Sequence, residues 1–247
     1  MKQILLPILL FFFVISCKDN LDFTFKKYEK ISERSCTDSC PKATITVPFF
    51  KKGSFVSDSI NHKIFNTIKD IVYFGEEPYQ SMDYEELLNS FMNSYEEMKA
   101  DFPDESIGWE ATIIGDIRYQ SDHLINIGIS SYLYTGGAHG YGSLTSLLFD
   151  KKTGIAITNK ELFNNEKSFI AYAEKKFRKE QNIPDNLSIN TTGLLFDNDE
   201  FKLPDNIFFT DQGLVLYFYT YDIASYTDGP QELILPYSEV DPYLKIK

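Results

Sequence analysis

Apolar positions along the chain follow two periods. In 44–50 (Thr-Ile-Thr-Val-Pro-Phe-Phe) β-branched and aromatic residues alternate loosely, which predicts a strand, with Pro48 favouring a sheet edge. The period then becomes helical. Ile60, Ile64, Ile68 and Ile71 form one stripe after Asp58, a residue suited to capping a helix. Ser81 is the expected cap of a second helix, with Leu87, Leu88, Phe91, Met92, Tyr95 and Met98 in phase and a stop before Pro103. From Trp109 the pattern changes to strands. Segments 110–119 and 124–134 flank the turn residues Gln120-Ser121-Asp122, 144–150 follows, and Lys151-Lys152-Thr153-Gly154 turns the chain into 155–157. Thr158-Asn159-Lys160-Glu161 has the form of a capping box. Segment 168–181 is amphipathic, with Phe169, Tyr172, Ala173 and Phe177 on one side. Asp211-Gln212-Gly213 reads as the turn of a hairpin between 207–210 and 214–219, and 232–235 is a last strand. Strands and helices are segregated rather than alternating. The expected class is α+β: largely antiparallel sheets packed with a few helices, two small subdomains in one compact unit.

The N-terminus carries a different kind of pattern. Lys2 precedes an almost unbroken apolar run, 4–15, too short to span a membrane but suited to the apolar region of a signal peptide. It ends in Val14-Ile15-Ser16-Cys17, which looks like a bacterial lipobox: a small residue admits the peptidase, and the Cys17 thiol then carries lipid. Lys18-Asp19-Asn20 resembles the surface-export signals of some Gram-negative lipoproteins. The expected organisation is a signal peptide over 1–16 and a lipidated N-terminus and polar tether over 17–41. The localisation that follows is the cell envelope, lipid-anchored in the outer membrane and facing the periplasm or the surface. With Cys17 assigned to lipid, Cys36 and Cys40 remain, and in an oxidising compartment a local disulfide is their first reading. Their spacing is not that of a redox pair, and no histidine lies close enough for zinc.

Composition narrows function without naming it. With 43% hydrophobic residues the chain can build a core, and 24 Lys+Arg against 36 Asp+Glu give a formal charge of −12. Signal cleavage would remove Lys2 and no acidic residue, so the mature chain is more negative still. Such a chain is a poor nucleic-acid binder, because neutralising phosphates needs a basic surface. Aromatic residues make up 15% of the sequence, enough to supply contact surface as well as core. The three histidines are His62, His123 and His139, and neither a zinc-protease helix motif, a nucleophile elbow nor a phosphate loop is present. No catalytic residue, cofactor or metal is expected.

Tyr134-Thr135-Gly136-Gly137-Ala138-His139-Gly140 is the most specific stretch. Its glycines permit positive φ and expose amides. The loop is therefore a tight crossover braced by His139, a contact for a ligand or partner, or part of a catalytic site. This stretch, with Tyr132 and Leu133 before it, resembles the signature joining two domains of unknown function, numbered 4163 and 3298. The resemblance continues through Phe149-Asp150-Lys151-Lys152-Thr153-Gly154, Ile157-Thr158 and Glu161-Leu162-Phe163. It extends to 221–230 (Tyr-Asp-Ile-Ala-Ser-Tyr-Thr-Asp-Gly-Pro), Leu235-Pro236-Tyr237-Ser238 and Pro242-Tyr243-Leu244, and so covers roughly 42–245. It implies a first domain over 42–148 and a second over 149–247, both extracytoplasmic. Relatives include the extracellular half of the lysozyme-sensing anti-sigma factor RsiV, which binds lysozyme. Another is the region beside the catalytic domain of the peptidoglycan deacetylase PdaC, where the chemistry belongs to the attached domain.

Three functions are thus in view. The first is a non-catalytic envelope module that binds a cell-wall-active protein such as lysozyme. An acidic surface attracts such a basic muramidase, and Tyr134, Gly136, Gly137, His139, Tyr141, Tyr221 and Tyr226 are the candidate contacts. The second is a peptidoglycan- or glycan-binding lipoprotein using the same aromatics as sugar platforms. The third is a hydrolase, which needs His139 beside Asp222 or Asp228.

Overall fold

In the computed structural model, which describes residues 21–32, 39–103 and 108–246, the chain enters the fold as a strand rather than a tether. β1 (Phe23–Ile31) pairs antiparallel with β2 (Lys42–Phe50) along its whole length. The expectation of a free polar segment through residue 41 is corrected here, and the cause is visible in the side chains. Only Phe23 and Tyr28 of β1 pack toward the core, while the exposed positions carry the lysines and Glu29 that hide a strand in the sequence. Glu29 joins the pair from the outer face, 3.0 Å from both Lys42 and Lys27. Hydrogen bonds first from Lys42 and then from Lys27 hold its carboxyl down at about 2. A depressed folded pKa gives stability that is present above the ordinary carboxylate range and lost as pH falls through it. Glu29→Gln should therefore flatten the acid limb of a melting-temperature profile slightly between pH 4.5 and about 2. An unchanged limb would contradict this.

Two helices lead from β2 to the next strand. α1 (Phe55–Val72) starts at Ser54, whose hydroxyl accepts the Ser57 amide at 3.1 Å, so the cap lies before Asp58, which sits in the first turn. α2 (Tyr84–Asp101) is capped by Asp83 rather than Ser81, with Oδ1 accepting from the Glu86 amide at 2.9 Å. The Ser81 hydroxyl instead meets Ser90 at 3.0 Å. Because this helical pair carries the chain back across the sheet, β3 (Glu110–Gln120) runs parallel to β2, the one exception to antiparallel pairing among the described strands. Pro48 consequently lies in an interior strand. It costs no ladder bond there, since pairing of β2 with β3 ends at Thr46.

β4 (Leu124–Tyr134) and β5 (Tyr141–Asp150) complete a five-stranded sheet of order β1-β2-β3-β4-β5. One face, with Ala43, Ile45, Ile113, Ile125, Ile127 and Phe149, packs on Ile60, Ile64, Leu87 and Phe91 of the two helices. The opposite face near β5 meets a second, three-stranded sheet of β6 (Asn206–Thr210), β7 (Gly213–Phe218) and β8 (Gln231–Leu235). Before it come α3 (Asn159–Leu162) and α4 (Glu166–Glu180), and after it α5 (Tyr237–Val240). Glu161 reaches back to the Thr158 amide at 2.8 Å, as its capping box requires. Phe169, Ala173 and Phe177 of α4 join Leu214, Leu216 and Phe218 in the second core.

The two halves share one seam. Alternation along β4 sends Ile125, Ile127 and Ile129 into the first core, while Leu124 belongs to the second and Asn126 is fully buried. Asn126 Nδ2 donates to Ser146 Oγ (2.9 Å) and the Leu147 carbonyl (3.1 Å), and its Oδ1 accepts the Phe209 amide at 2.8 Å. The Ser146 hydroxyl in turn donates to the Ile207 carbonyl at 2.6 Å, and the Ser146 amide donates to Asn206 Oδ1 at 3.0 Å. One amide side chain thus ties β4 and β5 to β6. Among the described residues no helix is long and apolar enough to cross a membrane.

Candidate functional site

The glycine-rich segment is the β4–β5 connection, and each glycine has its own reason to be there. Gly136 (φ 105°) and Gly137 (φ 89°) lie in the left-handed region that side chains disfavour, with open space where a Cβ would go. Gly140 has no such φ. A Cβ there would stand 2.5 Å from the Tyr132 ring, so the glycine lets that ring lie flat against the backbone. The Tyr134 hydroxyl donates to the Gly137 carbonyl at 2.9 Å, which makes Tyr134 a brace for the loop. Backbone strain exceeds the loss of an exposed imidazole whose contacts are one neighbouring carbonyl and two solvent-open rings. Gly137→Val should therefore cost about 1–3 kcal/mol and His139→Ala less than about 1. Thermal melts of the two variants check the order, and the reverse order would contradict it.

The β7–β8 connection arrives at the same place. Asp222 accepts the Tyr219 amide at 2.7 Å and holds a turn in which Tyr221 has φ 75°, an unusual backbone for an aromatic residue. Ser225 and Asp228 close a second turn, with Asp228 Oδ2 accepting from the Ser225 hydroxyl at 2.6 Å and its amide at 3.2 Å. Between these turns Ile223 and Ala224 are buried, and the Ile223 carbonyl accepts the Leu195 amide at 2.8 Å. The loop is pinned at its middle and presents Tyr221 and Tyr226 outward.

His139 stacks on Tyr226 (centroids 4.7 Å apart, planes at 22°) and meets the edge of Tyr141 at 5.2 Å. Tyr221 extends the row from Tyr226 at 5.9 Å. These rings remain open to solvent: Tyr141 is 63% exposed, Tyr221 60% and Tyr226 47%. The fold therefore brings together four sequence-identified candidates from two distant loops in one exposed aromatic row, with Gly136, Gly137 and Tyr134 shaping the loop behind it. Two supporting tyrosines were not among the candidate contacts. Tyr132 lies under Gly140, and the Tyr219 hydroxyl reaches the Gly142 backbone; burial first of all pushes that phenol up. Tyr219 also rests on Phe208, Val215 and Tyr217, an apolar patch between the two sheets.

His139 is hydrogen-bonded to neither Asp222 nor Asp228. His139 Nδ1 lies 3.1 Å from the Gly140 carbonyl, while the Asp222 and Asp228 carboxylates are engaged by their own turns. His62 pairs with Asn66 on the exposed face of α1, and His123 sits in the turn before β4. Cys17 and Cys36 lie outside the described residues; Cys40 is disulfide-bonded.

Comparison with known proteins gives two partial family matches. Residues 34–141 match a family described as Deacetylase PdaC, and residues 157–238 match a protein family of unknown function, DUF3298. Each covers less than half of the chain. A crystal structure of a DUF3298-family protein from Pseudomonas aeruginosa is similar in fold, with TM-score 0.67 and 20% identity over 92% of this chain and 96% of that one. A DUF3298-family member from Bacteroides fragilis gives TM-score 0.64 and 19% identity over 90% and 93%. No curated protein matches the sequence. The expected likenesses to domain 4163 and to the anti-sigma factor have no counterpart among these matches.

Proposed function

We propose that this chain is a non-catalytic, lipid-anchored module of the bacterial cell envelope. In this reading it binds a basic cell-wall muramidase such as lysozyme through the His139–Tyr226 row. The observation that carries this reading is the convergence of two loops into a solvent-open aromatic row on pinned, left-handed turns. Tyrosine and histidine rings held in place lose little entropy on contact, and rigid aromatic anchors are what protein interfaces concentrate at their centres. Charge adds a direction. A chain of −12 attracts a basic partner over a Debye length of about 8 Å at physiological salt, so association should slow as salt rises. The match of residues 34–141 to a family named for a peptidoglycan deacetylase supports a setting at the cell wall.

Glycan binding is the second reading. Tyr221 and Tyr226 stand at 32° to one another and present faces on which a sugar ring can stack. Hydrogen–deuterium exchange on the full chain, with and without a c-type lysozyme, tests the site. Amides in 134–142 and 219–230 should slow when the partner is added. Protection confined to other segments would place the partner elsewhere and overturn the assignment.

A further inference from the structure

The five-stranded sheet has two unlike ends. Lys42, Glu110 and Tyr134 stand in register at one end, next to Leu133 paired with Tyr141, so the aromatic row crowns it. Phe23 paired with Phe50, and Ile125 paired with Phe149, mark the other. Strands of nine to eleven residues separate the two ends by roughly 30 Å.

The chain enters at the end away from the row. Leu21 and Phe23 are packed against the first core there. Cys17 precedes Leu21 by four residues, a reach of at most roughly 14 Å whatever path the chain takes. A lipid on Cys17 therefore holds this end, and not the row, close to a bilayer.

The surface at this end suits such a neighbour. Phe55, at this end, is 77% exposed, and Met82, farther along the β1 flank just before Tyr84, which packs on Tyr28, is 82% exposed; these are the largest exposures of any bulky apolar side chain described. Met82 shares a groove of about 910 Å³ with Lys26, Lys51 and Lys52 and with the rings of Phe49, Phe65 and Tyr84. Asp22, Asp83 and Glu85 also line it, so the three lysines make this groove locally balanced on a chain of net −12. A balanced face can approach an anionic headgroup layer that would repel the rest of the molecule. Lysines beside exposed apolar side chains are the composition of interfacial contact.

We infer that this end of the sheet, together with the groove along the β1 flank beside it, docks on the headgroup layer of an anionic phospholipid bilayer. Phe55 and Met82 enter the interface, Lys26, Lys51 and Lys52 meet lipid phosphates, and the His139–Tyr226 row, at the other end of the strands and by the opposite edge strand β5, is held clear of the bilayer. The inference rests on the anchoring at Cys17 proposed above and is testable apart from it. The full chain, purified in detergent, is reconstituted into phosphatidylethanolamine–phosphatidylglycerol vesicles after Phe55→Cys, Met82→Cys or Tyr226→Cys and nitroxide labelling. Spin-label accessibility to oxygen over a water-soluble nickel chelate should be severalfold higher at positions 55 and 82 than at 226. Combining Lys51→Glu and Lys52→Glu should lower the ratio at 55 and 82 toward the value at 226. Intact mass reports lipid on Cys17 in the same sample. Lipidated protein with labels 55 and 82 as water-exposed as 226 overturns the docking alone, and an unmodified Cys17 overturns the anchoring and the docking together. Unchanged label depth after the lysine substitutions would refute the headgroup pairing.

Discussion

Asn126→Leu should lower the melting temperature by roughly 10 °C, the largest loss expected of any single substitution at a polar residue in this chain. The side chain is fully buried and makes three hydrogen bonds, to Ser146, Leu147 and Phe209. Leucine is close in volume but has no polar atom, so the Phe209 amide loses its acceptor inside the protein. An unsatisfied buried group costs about 1–3 kcal/mol, and losing the two donated bonds as well brings the total to roughly 3–5 kcal/mol. For a chain of this size each kcal/mol shifts the transition by about 2–4 °C. Ser146→Ala removes a donor to the Ile207 carbonyl and an acceptor for Asn126, and should cost less, about 1–2 kcal/mol. A shift of under 2 °C for Asn126→Leu in a thermal melt would show that the two sheets hold together without this seam.

Tyr226→Ala should weaken muramidase binding about 30-fold or more while leaving the melt close to that of the parent. Its ring is the centre of the row, stacked on His139 on one side and 5.9 Å from Tyr221 on the other. Removing a central aromatic anchor typically costs at least about 2 kcal/mol of binding, whereas a half-exposed ring contributes little to the core. The pairing of a large affinity loss with an unchanged melt distinguishes a contact residue from a structural one. Surface plasmon resonance and a thermal melt on the same preparation check both halves.

How much of this was legible in the sequence differs from element to element. The helical stripe of α1 is real for Ile60, Ile64 and Ile68, all buried, because burying one face imposes the helical period. At its end the period drifts, and Val72 is buried rather than Ile71. β1 was hidden because an edge strand with one solvated face needs only two inward side chains, and its lysines read as linker. The parallel pairing of β2 and β3 was hidden for another reason: pairing direction is decided by the path of two helices, not by the strands themselves. In the candidate site each loop was recognisable by its own glycines and tyrosines. Their meeting was not, since His139 and Tyr226 are far apart in the chain and stack only when the second sheet docks through β6 on β5. Asn126 gave no signal among Leu124, Ile125 and Ile127, yet a lone amide in such an apolar strand is the kind of residue that fixes how two layers dock.

The central claim is that the exposed aromatic row recognises a basic cell-wall muramidase. Calorimetric titration of the full chain with a c-type lysozyme, at low and at physiological salt and in parallel with soluble muropeptides, tests it most directly. The account predicts saturable heat with lysozyme that weakens as salt rises, and that Tyr226→Ala removes. Silence with lysozyme alongside clear saturation by muropeptides would contradict it and move the row to glycan recognition.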